Sequence, residues 1–317
     1  MEEIIQKSIK ELENKINSIT FKKKQVNFKR APLIKLSLKE EDSEKGYLFG
    51  ETIESIYSKI SDKTIIENSV ESNKLEYYFY NCETTRDYGW GCSWRCIQSI
   101  LGTIRNILLD EEIFENTLSN FSNLINFDNR FDTLFYTYGN KDLLLKLYLA
   151  SYKTNTIPEY LSNKEFAPHE TEFGWAEPLI GRLILQDFGI ESDLLLLNDY
   201  KNFALAPVEV FDKTISFEEL KILLLNHFKN PFPVPIYLDD TILTFCVIGA
   251  VEEKDILKIM ILDPNIKNVD DCEKGMYVIN FDKEGVNVLD NNNKLFRKLN
   301  LNKNSVMILI PKLPKAI

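Results

Sequence analysis

The sequence predicts an α+β fold: a helix that begins at a cysteine, further helices, and then a mainly antiparallel sheet. Three observations carry this. Ile97, Ile100, Leu101, Ile104 and Leu108 recur at helical spacing directly behind Cys92. A second helix, over residues 216–229, opens with Ser216 and Glu219, the pattern of a capping box, and keeps Leu220, Leu223, Leu224 and Phe228 on one face. Beyond Val234 the character changes. Apolar runs at 234–238, 243–251, 256–263, 276–281 and 306–310, separated by short turns, read as strands.

In chain order, residues 1–20 read as an amphipathic helix with Ile5, Ile9, Leu12, Ile16 and Ile19 on one stripe. Residues 21–35 carry Lys22, Lys23, Lys24, Lys29, Arg30 and Lys35 and no acid. Two readings of this arm stay open: a solvated extension, or a contact for a partner or an acidic surface. Residues 36–75 are mixed, with a helix expected around 51–60. Residues 1–76 are therefore taken as an N-terminal extension and 77–317 as one domain. The aromatic run Tyr77-Tyr78-Phe79-Tyr80 reads as a strand entering the turn before Cys92. Residues 104–162 are helical in tone. A helix is expected over 175–188, with Pro178 near its start and Gly189 at its end. Residues 194–197 read as a short buried strand, and Asn291-Asn292-Asn293 as a polar loop.

Composition narrows the function. The chain has 317 residues, 44% of them hydrophobic, enough for a sizeable core. A net charge of −10 argues against nucleic acid as the main partner, because phosphate binding wants a basic face. No run of about 18 apolar residues exists, so no transmembrane helix is expected. The five cysteines are Cys82, Cys92, Cys96, Cys246 and Cys272; the odd count and the absence of a secretory leader point to a reducing, cytoplasmic setting. Cys92 and Cys96, with His169 and His227 the two histidines, match no zinc spacing, so no metal is expected. No glycine loop of the phosphate-cradling kind appears, so no nucleotide cofactor is expected either.

The stretch Gly89-Trp90-Gly91-Cys92-Ser93-Trp94-Arg95-Cys96 carries the chemistry. It places a thiol behind a two-glycine turn at the start of a helix, where unpaired N–H groups and the positive end of the dipole favour thiolate. A nucleophile is prepared in this way, although a small buried cysteine beside a turn has the same local sequence. The apolar strand ending in Asp263-Pro264-Asn265 is the second pointer. Residues at i and i+2 of extended chain share a face, so Asp263 and Asn265 are expected together at the sheet rim, unless the segment is an ordinary strand-ending turn.

Tyr80 followed by Asp87-Tyr88-Gly89-Trp90-Gly91-Cys92-Ser93-Trp94-Arg95-Cys96-Ile97-Gln98 resembles the nucleophile box of the ubiquitin-fold-modifier-specific cysteine proteases, a papain-like family. Phe173-Gly174-Trp175, Val234-Pro235-Ile236, Val247-Ile248-Gly249 and Ile259-Met260-Ile261-Leu262-Asp263-Pro264 resemble later stretches of that family in the same order. The likeness covers roughly residues 77–312. The autophagy cysteine proteases share the Gly-Trp-Gly-Cys core and give a third reading. The resemblance implies a papain-like fold with the nucleophile helix packed on the sheet. It implies a thiol hydrolase that cuts after the C-terminal glycine of a ubiquitin-fold modifier, with that modifier or its conjugates as partner. It also implies a cytoplasmic protein that a partner can recruit to the endoplasmic reticulum surface. It assigns the nucleophile to Cys92, the oxyanion donor to Tyr80 and the orienting carboxylate to Asp263.

The family expects histidine where this chain has Asn265. An amide hydrogen-bonds but accepts no proton near neutral pH. Two readings follow: an impaired thiol protease, or a non-catalytic module that binds the modifier or a partner. His169, in the loop before Trp175, is a weak candidate for the base, while His227 sits on an apolar helix stripe and reads as structural. Trp90, Trp94 and Trp175 are candidates for a groove that accepts a glycine tail; for Trp90 and Trp94 a core role is the equal alternative. Cys96, one turn beyond Cys92, is either a resolving thiol or a buried small residue, and Arg95 reads as an ion-pair partner.

Overall fold

The protein is described from a computed structural model that covers residues 47–83, 85–110, 124, 126–138, 176, 178–197, 211–240, 243–266, 273–281, 286–289, 295–299 and 306–313. The expected helix at 1–20, the basic arm at 21–35, the polar loop at 291–293 and most of 111–162 lie outside these residues.

Helix α1 spans Glu51–Lys59 and α2 spans Lys63–Glu67, started by the Asp62 carboxylate accepting the Ile65 N–H. Helix α3, Cys92–Asp110, buries Ile97, Ile100, Leu101, Ile104 and Leu108, the stripe its spacing predicts. Each such burial is worth about 1.5–3 kcal/mol, more than helix propensity supplies per residue. Helix α4 is Phe131–Tyr138 and packs on α3. Helix α5, Pro178–Asp187, starts on a proline whose missing N–H costs nothing there. It ends in a Schellman turn: Gly189 takes φ +72°, Gly189 N–H donates to Gln186 O at 2.9 Å and Ile190 N–H to Leu185 O at 2.8 Å. Helix α6, Phe217–Phe228, carries the predicted capping box between Ser216 and Glu219.

The strands form one nine-stranded sheet in the order β2-β1-β9-β3-β4-β5-β6-β7-β8. They are β1 Glu191–Leu197, β2 Lys213–Ile215, β3 Ile236–Asp239, β4 Thr244–Glu253, β5 Ile256–Leu262, β6 Met276–Phe281, β7 Val286–Leu289, β8 Leu295–Leu299 and β9 Val306–Lys312. Among the described residues β1 and β2 pair in parallel and every other ladder is antiparallel. The last strand returns to the middle, where Ile308 faces Leu195 on one side and Leu238 on the other. In β4, Thr244–Ala250 are buried at every consecutive position, so both faces are covered, and α2, α3 and α6 each pack on this strand.

Two findings differ from the sequence reading. Tyr77–Tyr80 is not a strand: Tyr77 makes an isolated bridge to Leu48, and Tyr80 already belongs to the turn that follows. The N–H groups of this segment find other acceptors: Tyr78 donates to Ser99 Oγ at 3.1 Å and Tyr80 to Pro264 O at 3.0 Å. Aromatic β-propensity signalled extension; the hydroxyl of α3 replaced the ladder. The stretch 47–76, read as part of an extension, contributes Leu48, Ile53, Ile56, Ile65, Val70 and Leu75 to the same apolar core as the sheet. Where β3 stops, this stretch continues the edge of β4: Val70 N–H donates to Ile248 O at 2.7 Å and Ala250 N–H to Asn68 O at 3.1 Å.

Candidate active site

The turn before Cys92 is organised by one carboxylate. The Asp87 carbonyl accepts from Trp90 N–H at 3.1 Å and Gly91 N–H at 2.9 Å, and Gly89 takes φ +88°, a conformation open to glycine. The Asp87 carboxylate, 0% exposed, accepts from Asn81 N–H at 2.8 Å and from Arg95 Nε at 2.8 Å and a second Arg95 nitrogen at 3.1 Å. A Cβ on Gly91 would run into that carboxylate, which is why the second glycine is needed. Arg95 is itself fully buried, paired also with Glu83 at 2.6 Å and stacked over Phe131. A buried guanidinium is tolerated because acids on two sides satisfy it. This ion pair fixes the segment carrying Tyr80 against the helix carrying Cys92.

Cys92 is the first residue of α3, and Gly91 O accepts the first helical bond from Arg95 N–H at 3.0 Å. Its side chain is buried, with the Thr244 hydroxyl, the Thr244 backbone N–H and the Tyr80 hydroxyl beside the sulfur. Burial nevertheless pushes the thiol above its ordinary value, and the nearby Asp239 carboxylate pushes the same way. The sequence reading expected the helix end to favour thiolate. That effect is worth about 0.3–1 kcal/mol at an exposed terminus, and loss of solvent outweighs it here.

The opposite wall is built on Asp263, immediately beyond β5. Its carboxylate accepts the Tyr277 hydroxyl at 2.7 Å, the Asn265 N–H at 2.9 Å and the Asn265 side-chain amide at 2.6 Å. The Asn265 carbonyl accepts the Tyr80 hydroxyl at 2.7 Å. Both ends of the amide are therefore engaged, and a continuous chain runs Asp263–Asn265–Tyr80–Cys92. Burial, with Cys92 beside it, pushes the Tyr80 phenol far up, so it stays a neutral donor. The expectation that Asp263 and Asn265 share a face is met as a direct contact. Tyr77 anchors this wall from below, its hydroxyl donating to the Asp263 carbonyl at 2.5 Å.

A third group of polar residues adjoins Cys92 and was missed in the sequence. Tyr237 and Asp239 lie on β3, Thr244 opens β4, and Ser93 follows Cys92. Thr244 Oγ1 donates to Asp239 Oδ2 at 2.9 Å, Tyr237 donates to Ser93 Oγ at 2.9 Å, and Ser93 and Thr244 hydroxyls meet at 2.9 Å. The period-two placement of Tyr237 and Asp239 was legible. Their meeting with Ser93 depends on how α3 lies across the sheet.

The remaining predicted residues are placed as follows. Trp94 is 1% exposed and packs edge-on against Phe131 and Phe135, a core position. Trp90 is half-buried against the same two rings. Trp175 and His169 lie outside the described residues. His227 is on α6, with Nε2 2.8 Å from Val234 O and burial holding its imidazole below the usual value. Cys96 is buried next to Cys246. Among the described residues no cluster of His, Cys, Asp and Glu could hold a metal ion, and no helix is long and apolar enough to cross a membrane.

No family model matches the sequence, and no curated protein matches it. Among solved structures, the fold is similar to the crystal structure of UfSP from C. elegans, with a TM-score of 0.39 and 13% identity over 76% of this chain. The chain spans 33% of the length of that one. A likeness of that size leaves the functional reading to the residues themselves.

Proposed function

We propose that this chain is a papain-like thiol hydrolase of ubiquitin-fold-modifier processing, weakened by an amide in the base position. The observation that supports it best is the chain Asp263–Asn265–Tyr80 ending at the Cys92 sulfur. In this reading Cys92 attacks the carbonyl after the modifier's terminal glycine. The Tyr80 hydroxyl, once its proton swings from Asn265 to the substrate oxygen, and the Cys92 backbone N–H, which lies in the first helical turn and has no i−4 acceptor, hold the developing oxyanion. Asp263 orients whatever occupies position 265. Tyr88, 52% exposed, lies edge-on to Tyr80.

Asn265 supports a second reading, a module that holds the modifier tail without cutting it. An amide removes a proton acceptor typically worth about 10²–10⁴-fold in rate. Incubation with a ubiquitin-fold modifier carrying an electrophilic C-terminus separates the two. The hydrolase reading expects a slow covalent adduct on Cys92 that is lost in Cys92→Ala. Tight binding of the modifier with neither adduct nor cleavage establishes the second reading, and no binding at all sinks both.

A further inference from the structure

The polar cluster on the β3 side of Cys92 has a direction that follows from counting protons. A hydroxyl has one donor and two acceptor sites. Thr244 spends its proton on Asp239, 2.9 Å away. The 2.9 Å contact between Ser93 and Thr244 must then be a donation from Ser93. Ser93 in turn accepts from Tyr237 at 2.9 Å. Thr244 Oγ1 is left with one acceptor site, and the sulfur of Cys92 is its neighbour. The resulting order is Cys92 S–H to Thr244 Oγ1, and Thr244 O–H to Asp239 Oδ2. Thr244 is 2% and Asp239 8% exposed, so the path is shielded from solvent.

We propose that Asp239, through the Thr244 hydroxyl, accepts the proton of the Cys92 thiol. This rests on Cys92 acting as a nucleophile, as proposed above. As the S–C bond to the substrate carbonyl forms, the S–H bond breaks. Thr244 Oγ1 takes that proton and passes its own to Asp239, which becomes a neutral acid. The carbonyl π pair moves onto oxygen, facing Tyr80. When the C–N bond breaks, the proton returns by the same hydroxyl to the leaving amine, and water hydrolyses the thioester. The Asp263 wall cannot do this, because its link to the site is an amide. Around the pair stand the Tyr80 hydroxyl, Asp263, Cys96 one turn along α3, and the Tyr237 hydroxyl. Asp240 beside Asp239 is turned to cap Leu243 N–H at 2.7 Å.

The test uses a small neutral alkylator, so that it does not depend on any modifier. The rate at which iodoacetamide labels Cys92 in the full chain is followed by peptide mass spectrometry from about pH 6 to pH 10. Here the S–C bond forms, iodide leaves and the thiol proton goes to Asp239. A relay gives a labelling rate that is flat with pH near neutrality and rises only where thiolate appears. Asp239→Asn is expected to cut the neutral rate about 10- to 100-fold, leaving the alkaline rate unchanged or raised. Thr244→Val reproduces the loss and Thr244→Ser restores the rate. A carboxylate that acts only as a repelling charge gives the opposite sign: Asp239→Asn then labels faster at neutral pH, and the proposal is overturned. Should Asp239→Asn not fold, equal neutral rates in Thr244→Val and Thr244→Ser overturn it as well. A flat neutral limb with no modifier adduct sinks the modifier reading alone; a modifier adduct with faster labelling in Asp239→Asn sinks the relay alone.

Discussion

The two acidic walls beside Cys92 are built from similar parts and end differently. Asp263 and Asp239 are both buried at strand ends, and each has a tyrosine hydroxyl close by, Tyr277 at 2.7 Å and Tyr237 at 3.3 Å. The link from Asp263 toward the sulfur is the Asn265 amide, whereas the link from Asp239 is the Thr244 hydroxyl. An amide holds a geometry without moving a proton; a hydroxyl can take one proton while giving another. The carboxylate is therefore not what separates an orienting wall from a proton-moving one. The atom between it and the sulfur decides.

The largest expected effect comes from changing that atom. Asn265→His puts a proton acceptor between Asp263 and Tyr80, and adduct formation with the electrophilic modifier should accelerate by about 10²–10⁴-fold. The gain should survive in the Thr244→Val background, because the new base works from the Asp263 side. An Asn265→His protein that folds but reacts no faster would remove the Asp263 wall from the mechanism.

A third buried acid sharpens the contrast. Asp87 is compensated by the guanidinium of Arg95 and has no path to the sulfur, so its role is architectural. Asp87→Ala leaves Arg95 short of a partner in the core and should cost about 3–5 kcal/mol in denaturant unfolding. If chemical denaturation instead shows a change below about 1 kcal/mol, the turn does not depend on this pair.

The smallest effect is on stability against pH. Burial pushes the thiols of Cys92 and Cys96 up, and that of Cys82 up to about 12. A raised folded pKa means that the native state keeps protons which the unfolded chain releases. Stability contributed by these thiols is thus complete below the unfolded pKa, about 8.5, and is lost as pH rises above it. Thermal melts should show a falling Tm between about pH 8.5 and pH 11. Cys82→Ala should flatten that slope, and an unchanged slope would show that the thiol does not contribute.

Much of this was legible locally. The stripe from Ile97 to Leu108 required a helix starting near Cys92, because apolar side chains at that spacing share one face. Ser216 with Glu219, and Gly189 after the Leu179–Leu185 run, announced helix ends through backbone groups that only nearby residues can satisfy. Asp263 and Asn265 were paired by extended-chain alternation alone. Other features were not legible. Tyr77–Tyr80 has strand composition, but its donors are taken by Ser99 and Pro264, far along the chain. The strands β7 and β8 have mixed composition and gave no clear alternation.

The sequence by itself determined where the sulfur stands on its helix, which residues form the Asp263 rim, and that position 265 is an amide. Only the tertiary structure decided the state of that sulfur. Whether the thiol keeps its proton depends on how much water the crossing of α3 over β4 removes. Its access to Asp239 depends on the β3–β4 register that sets Thr244 opposite that residue. Both are set by residues distant in the chain, and desolvation and proton transfer are fixed by distances in space, which local periodicity does not encode.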